Sequence, residues 1–230
     1  MTTPAGQDPR LNRATAAAEA ITAARLIAIV RTHRSEDAVR AVRTLAAAGV
    51  QVAEISLSTP GALEALERSA EEVGDRMLLG AGTVRSERDA ARAMSAGARF
   101  LVSPSLDGGL VAYARESDVL HLPGVMSPTE LAGALASGAQ LVKLFPAARL
   151  GAGYVGDLLA PFPEARLVPT GGITYANFST FLDAGSVAVA VGSDLVGPAT
   201  IADPNALAGR AAQFLSLIGT RTKGERSDGN

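Results

Sequence analysis

Eight short apolar runs recur along the chain at nearly even spacing, and this periodicity limits the folds open to it. They start at Leu26 (LIAIVR), Val52 (VAEISL), Leu78 (LLGAGTV), Phe100 (FLVSP), Leu120 (LHLPGV), Leu141 (LVKLFP), Leu167 (LVPTGG) and Ala188 (AVAVGS), 20 to 26 residues apart. Each interval holds one short strand, one helix and two tight loops. Near-continuous apolar strands alternating with helices predict a parallel sheet with helices on its outer face. An open doubly wound sheet would carry a glycine-rich loop after its first strand. Here Arg31-Thr32-His33-Arg34 follows, without a glycine. The expected fold is therefore an α/β protein, a (β/α)8 TIM barrel.

The punctuation between the runs agrees. Ser35 ahead of Glu36 and Asp37, Thr59-Pro60, Ser127-Pro128-Thr129-Glu130 and Thr174 are expected helix starts. Gly49, Gly74, Gly97, Gly138 and Gly185 are expected helix stops. Residues 12 to 24 read as an extra N-terminal helix after a short tail, residues 25 to 219 as the barrel, and residues 220 to 230 as a flexible tail.

Composition narrows the partners. A formal net charge of −2 and the lack of a Lys/Arg block argue against nucleic acid. No apolar run reaches the roughly 18 residues that would span a membrane, and the first ten residues lack the apolar core of a signal peptide. The absence of cysteine rules out disulfides, thiolate nucleophiles and Cys-bound zinc, and it fits a cytoplasmic location. Two histidines without an acidic cluster make no metal-site pattern. His33 falls at the expected mouth of the barrel, whereas His121 reads as a core or wall residue.

Chemistry in a barrel sits at the C-terminal ends of the strands, so polar residues inside apolar strands near those ends single themselves out. Lys143 lies in Leu141-Val142-Lys143-Leu144-Phe145, where alternation puts Leu141, Lys143 and Phe145 on one face. Facing inward, its ammonium would be desolvated, its pKa lowered and its free amine available to attack a ketone. The competing reading is a lysine that snorkels to the mouth or pairs with an acid. Glu54 shares a face with Val52 and Ser56. It is either a proton carrier or a structural partner of Lys143 or Arg31. Arg31 ends the first strand and is either a fork for a carboxylate or a solvated charge. Thr83 can offer its hydroxyl to a substrate or to the backbone. Gly171-Gly172 and Gly192-Ser193 follow the seventh and eighth strands, the common phosphate position of this fold, and a phosphate is favoured there over plain turn glycines.

Taken together, Leu141 to Ala147 (LVKLFPA), Gly80 to Val84 (GAGTV), Val102 to Pro104 (VSP), Pro123 to Glu130 (PGVMSPTE) and Pro169 to Ile173 (PTGGI) resemble the 2-keto-3-deoxy-6-phosphogluconate (KDPG) aldolase family. That family includes 4-hydroxy-2-oxoglutarate (KHG) aldolases and a 2-keto-3-deoxy-6-phosphogalactonate branch. The resemblance runs from about Leu26 to Leu195 in one register. It implies a class I aldolase on a barrel, usually a homotrimer, acting on a phosphorylated 2-keto acid with no metal or organic cofactor. By the resemblance, Lys143 is the Schiff-base lysine, Glu54 the general acid/base and Thr83 the residue near the pyruvate carboxylate. Pro104 and Phe145 become pocket walls, and Gly171, Gly172, Gly192 and Ser193 the phosphate end.

One position departs from the pattern. The phosphogluconate enzymes carry a carboxylate-binding arginine four residues after the glutamate, where this chain has Ser58. Residues 54–60, 28–31 and 191–195 look more like the phosphogalactonate branch, with an arginine ending the first strand. Arg31 is therefore expected to take over the carboxylate. Two rival readings remain at this point: a different phosphate-binding barrel, such as a synthase or isomerase, and a former aldolase that senses a sugar-acid phosphate.

Overall fold

A computed structural model describes residues 11–224. The fold is α/β, with every strand pairing parallel. Strands β1 (Leu26–Val30), β2 (Val52–Ser56), β3 (Leu78–Gly82), β4 (Phe100–Val102) and β5 (Leu120–Leu122) begin where the first five apolar runs begin. They form one six-stranded sheet in the order β5-β4-β3-β2-β1-β9, with β9 spanning Val189–Val191. A second sheet has the order β6-β7-β8, formed by Gly124–Val125, Val142–Leu144 and Leu167–Pro169.

Eight apolar runs thus give nine strands, because Pro123 divides the fifth. Proline has no N–H to offer a ladder. Before it, Leu122 accepts from the Ser103 N–H at 3.0 Å; after it, Gly124 pairs with Lys143. A single run therefore touches both sheets. The sheets meet again at a parallel bridge between Thr170 and Ala190.

Eleven α-helices are described: α1 (Leu11–Ala24), α2 (Ser35–Ala47), α3 (Ala62–Val73), α4 (Glu87–Ser95), α5 (Gly108–Glu116), α6 (Pro128–Ala136), α7 (Ala147–Leu150), α8 (Gly153–Leu159), α9 (Tyr175–Asp183), α10 (Pro198–Ile201) and α11 (Pro204–Gly224). The outer strand faces pack on α2 to α6, α8, α9 and α11 through one large apolar cluster. A second cluster joins Ala17, Ala18 and Ile21 of α1 to Ile27, Val52, Phe100, Leu120 and Val168. Helix α1 thus buries its small apolar face against residues at the start of several strands. None of the helices is long and apolar enough to cross a membrane among the described residues.

The helix stops behave as read: Gly49, Gly74, Gly97, Gly138 and Gly185 all have positive φ. Two starts do not. Ser35 is the first residue of α2, and Arg34 precedes it without a side-chain cap. Helix α3 starts at Ala62 behind a left-handed Gly61. Thr59 serves elsewhere, since its hydroxyl accepts from the Thr32 N–H at 3.2 Å and ties the loop after β1 to the loop after β2. Ser127 does cap α6 in a reciprocal box, and at α9 the Asn177 side chain accepts from the Thr174 N–H at 2.8 Å. Helix α11 continues past Thr220 to Gly224, into the segment read as a tail; residues 1–10 and 225–230 lie outside the described residues.

Candidate active site

A cavity of about 600 Å³ opens where the C-terminal ends of the strands converge. All ten residues singled out in the sequence line it: Arg31, Glu54, Thr83, Pro104, Lys143, Phe145, Gly171, Gly172, Gly192 and Ser193. Glu54 and Lys143 come from within β2 and β7, and the others follow the ends of β1, β3, β4, β7, β8 and β9. No two neighbouring strands could assemble this set alone.

Lys143 is the middle residue of β7 and is only 7% exposed. Glu54 is the middle residue of β2 and is 4% exposed. Burial pushes the Glu54 carboxyl up to about 7, against the pull of Lys143 and Arg31, whose positive charges favour the carboxylate. Burial also lowers the Lys143 pKa; the Glu54 charge opposes that shift and the Arg31 charge adds to it. Desolvation is the largest cause for both groups. Each is therefore held away from the permanently charged state that it would keep in water. The Lys143 Nζ also lies 4.9 Å from the centre of the Phe145 ring.

Glycines make room for this arrangement. A Cβ on Gly82 would lie 2.5 Å from Glu54 Oε1, and one on Gly80 would lie 2.5 Å from the Phe100 ring. Glu54 can lie against β3 because Gly82 carries no side chain there. Gly171 has φ +93° and faces the Phe145 ring, where a Cβ would approach within 2.9 Å.

Thr83 takes a left-handed backbone, φ +62°, at the end of β3. Its hydroxyl lies 2.8 Å from Ser56 Oγ, which lies 2.8 Å from Ser58 Oγ. A chain of three hydroxyls thus runs from the cavity wall to the exposed Ser58. Ser58 itself does not line the cavity.

Several lining residues had no early signal. Asp37 reads as an ordinary first-turn acid, yet it faces the cavity while bonded to Arg40 at 2.6 Å. Thr170 follows a run of apolar residues and is buried against the site. Gly197 and Pro198 reach it from the turn into α10, and a Cβ on Gly197 would overlap the Ser193 carbonyl. His33 lines the cavity. His121 is a buried wall residue as read, with Nε2 2.7 Å from Ser103 Oγ. Ser103 donates its one proton to the Val84 carbonyl, so His121 Nε2 carries the proton and donates. Burial lowers its pKa to about 4 and keeps it neutral. Among the described residues, no group of three or more His, Asp or Glu could hold a metal ion.

The comparisons with known proteins agree with one another. The family model for KDPG and KHG aldolase matches residues 17–208. A 2-dehydro-3-deoxy-phosphogluconate aldolase of Treponema pallidum is 37% identical over 204 residues, covering 87% of this chain and 97% of that protein. A probable 2-dehydro-3-deoxy-6-phosphogalactonate aldolase of Rhizobium meliloti is 32% identical over 174 residues, 75% of this chain and 82% of the other. Among solved structures, KDPG aldolase from Legionella pneumophila superposes with a TM-score of 0.79 at 30% identity, covering 87% and 97% of the two chains; in that crystal structure pyruvate is captured as a covalent carbinolamine. Relatives of this closeness, matched over almost their whole length, make the chain a member of the KDPG and KHG aldolase family.

Proposed function

We propose that the chain is a class I aldolase that cleaves a 2-keto-3-deoxy-6-phospho sugar acid, of the phosphogalactonate or phosphogluconate type, to pyruvate and glyceraldehyde 3-phosphate. The observation that carries this reading is the burial of Lys143 and Glu54 in one cavity, with desolvation shifting each toward its neutral form. A buried lysine that is easily deprotonated is a nucleophile toward a ketone. A carboxyl that titrates near neutral pH can both take and return a proton.

The steps follow from these two groups. The Lys143 amine adds to the C2 ketone, and loss of water leaves an iminium. Glu54, directly or through water, takes the proton from the C4 hydroxyl. The C3–C4 bond breaks, its electron pair moves into the iminium, and the aldehyde leaves. Glu54 returns the proton to C3 of the enamine. Water then hydrolyses the iminium, releasing pyruvate and restoring the Lys143 amine. The carboxylate of the keto acid is held by Arg31, with the Thr83 hydroxyl beside it. Gly171, Gly172, Gly192 and Ser193 receive the phosphate, and Pro104 and Phe145 form the walls. No step needs a metal or organic cofactor.

The frame for this chemistry is a closed (β/α)8 barrel with α1 across its N-terminal end. Support comes from the Thr170–Ala190 bridge, from the fifth run passing between the sheets at Pro123, and from the apolar cluster that unites strands of both sheets. The barrel starts at residue 25, and its last helix, α11, carries it past residue 219. The enzyme works as a homotrimer in the cytoplasm on carbohydrate-derived acids, a reading that rests on the family resemblance and on the absence of cysteine. Sedimentation of the purified chain tests the trimer.

Identity over the aligned residues is spread over both branches of the family, 37% and 32% in the two relatives above, so substrate choice comes down to the site. Pyruvate release, coupled to a lactate dehydrogenase, is to be measured on both 6-phospho acids, their unphosphorylated forms and 4-hydroxy-2-oxoglutarate. The reading predicts that a 6-phospho acid has the highest kcat/KM. Equal or better turnover of 4-hydroxy-2-oxoglutarate would overturn the assignment of the phosphate end.

A further inference from the structure

Asp194 and Arg210 lie outside the cavity, yet they join its two glycine loops. Asp194 directly follows Ser193 in the loop after β9. Its Oδ2 accepts from Arg210 Nη2 at 2.5 Å and from the Tyr175 N–H at 2.7 Å. Tyr175 is the first residue of α9, three positions after Gly172. Arg210, on α11, also donates from Nε to the Asp194 carbonyl at 2.9 Å. One carboxylate oxygen therefore spans the two loops, and one guanidinium fixes that carboxylate by both side chain and main chain.

The setting is more than a surface ion pair. Both partners are about a quarter exposed, at 26% and 27%. The guanidinium lies 5.3 Å from the ring centres of both Tyr175 and Phe214, and those rings meet edge to face at 5.7 Å. The Asp194 charge also sits at the N-terminus of α9, where a negative charge is stabilised.

We propose that the Asp194–Arg210 pair is a positioning device that sets the spacing of the Gly171–Gly172 and Gly192–Ser193 loops, and so determines affinity for the phosphate of the substrate. The inference rests on those loops being the phosphate end. Backbone N–H groups bind an anion well only when their distances and angles are held. Gly171 and Gly172 hold positive φ, and their carbonyls accept from the Ala148 N–H at 3.0 Å and from Asn177 Nδ2 at 3.2 Å. Those bonds stay on the β8 side, and Asp194, through Tyr175, adds a tie to the loop after β9. The same carboxylate places a negative charge one residue from the anion site, and Arg210 neutralises that charge. The pair thus fixes geometry and removes a repulsion together.

The test compares wild type with Arg210→Gln, Arg210→Lys and Asp194→Asn in steady-state cleavage of a 6-phospho 2-keto-3-deoxy acid and of its unphosphorylated form. The expected result is a rise in KM of about fivefold or more for the phosphorylated substrate in Arg210→Gln. In that variant kcat stays near wild type, and kcat/KM for the unphosphorylated form is unchanged. Arg210→Lys recovers part of the loss. Asp194→Asn loses less than Arg210→Gln, because it removes the repelling charge along with the tie. Equal losses on both substrates, or an unchanged KM beside a lowered Tm, would show a merely structural pair and overturn the proposal. Trapping of pyruvate on Lys143 by borohydride separates this failure from failure of the aldolase reading. A wild type that forms the adduct but shows no preference for phosphate overturns the clamp together with the phosphate end, and leaves the aldolase standing. A wild type that forms no adduct overturns the aldolase itself.

Discussion

The Glu54 carboxylate occupies the space that a side chain on Gly82 would need, with Oε1 2.5 Å from where that Cβ would stand. Two adjacent strands are thus complementary, β2 supplying the acid and β3 the gap that holds it. Gly82→Ala is expected to push Glu54 out of place. Overpacking at a buried site costs about 1–3 kcal/mol of stability. Cleavage should suffer more, with kcat falling by about a hundredfold, the usual scale of a positioned acid/base group. Pyruvate should still form its adduct on Lys143, which needs no proton from the C4 hydroxyl. Steady-state rates, a thermal melt and adduct mass measure the three effects on one protein.

A second prediction concerns pH. In the proposed mechanism both groups act in their deprotonated forms, Glu54 to take the C4 proton and Lys143 to attack. Burial sets Glu54 to about 7, so kcat/KM should rise with pH through the neutral range. The two charges interact, so the apparent pKa belongs to the pair. Glu54→Gln should lower kcat/KM by about two to four orders of magnitude and remove the limb near pH 7. A limb that persists unchanged in the variant would assign it to another group.

The same shift has a cost in stability. The folded pKa of Glu54 lies above its unfolded value, so the folded state binds the extra proton between roughly 4.5 and 7. Stability from this group is complete below the unfolded pKa and is lost as pH rises through about 7. Glu54→Gln cannot ionise and escapes that loss. Its stability relative to wild type should therefore be greater at pH 8.5 than at pH 5, by on the order of 1–3 kcal/mol. Chemical denaturation at the two pH values reads the difference. A wild type that gains on the variant as pH rises would contradict the burial account of Glu54.

In the proposed reading, carboxylate binding turns on Arg31, with Ser58 standing at the alternative position. Arg31→Ala is expected to raise the KM for every keto acid by about tenfold to a hundredfold, the value of a charge-assisted hydrogen bond. Adding Ser58→Arg in that background should restore part of the loss, since that position faces the same hydroxyl chain through Ser56. An Arg31→Ala variant with wild-type KM would place the carboxylate elsewhere.

How much of this was legible in the chain depends on how local each signal is. Lys143 and Glu54 stand out because each breaks an apolar strand, and that contrast is visible without knowing any neighbour. The strand starts were legible for a related reason: strands buried on both faces leave short uninterrupted apolar runs. Pro123 was visible too, but its effect was not, because only the sheet partners reveal that the run changes sheets there. Thr59 looked like a helix cap, and the fold instead brings Thr32 to it from a loop 27 residues away. The Asp194–Arg210 pair left no trace, since an acid in a loop and an arginine on a helix are each ordinary alone. Sites made by breaking a local rule can be read from the chain; those made by bringing ordinary residues together need the fold.

The most direct test of the central claim is to incubate the protein with pyruvate and borohydride, then digest it and map the peptides by mass. The account predicts one reduced pyruvate unit per chain on the peptide that carries Lys143, and none in Lys143→Met, which should also lose cleavage activity. An adduct on another lysine, or cleavage that survives in Lys143→Met, would contradict it.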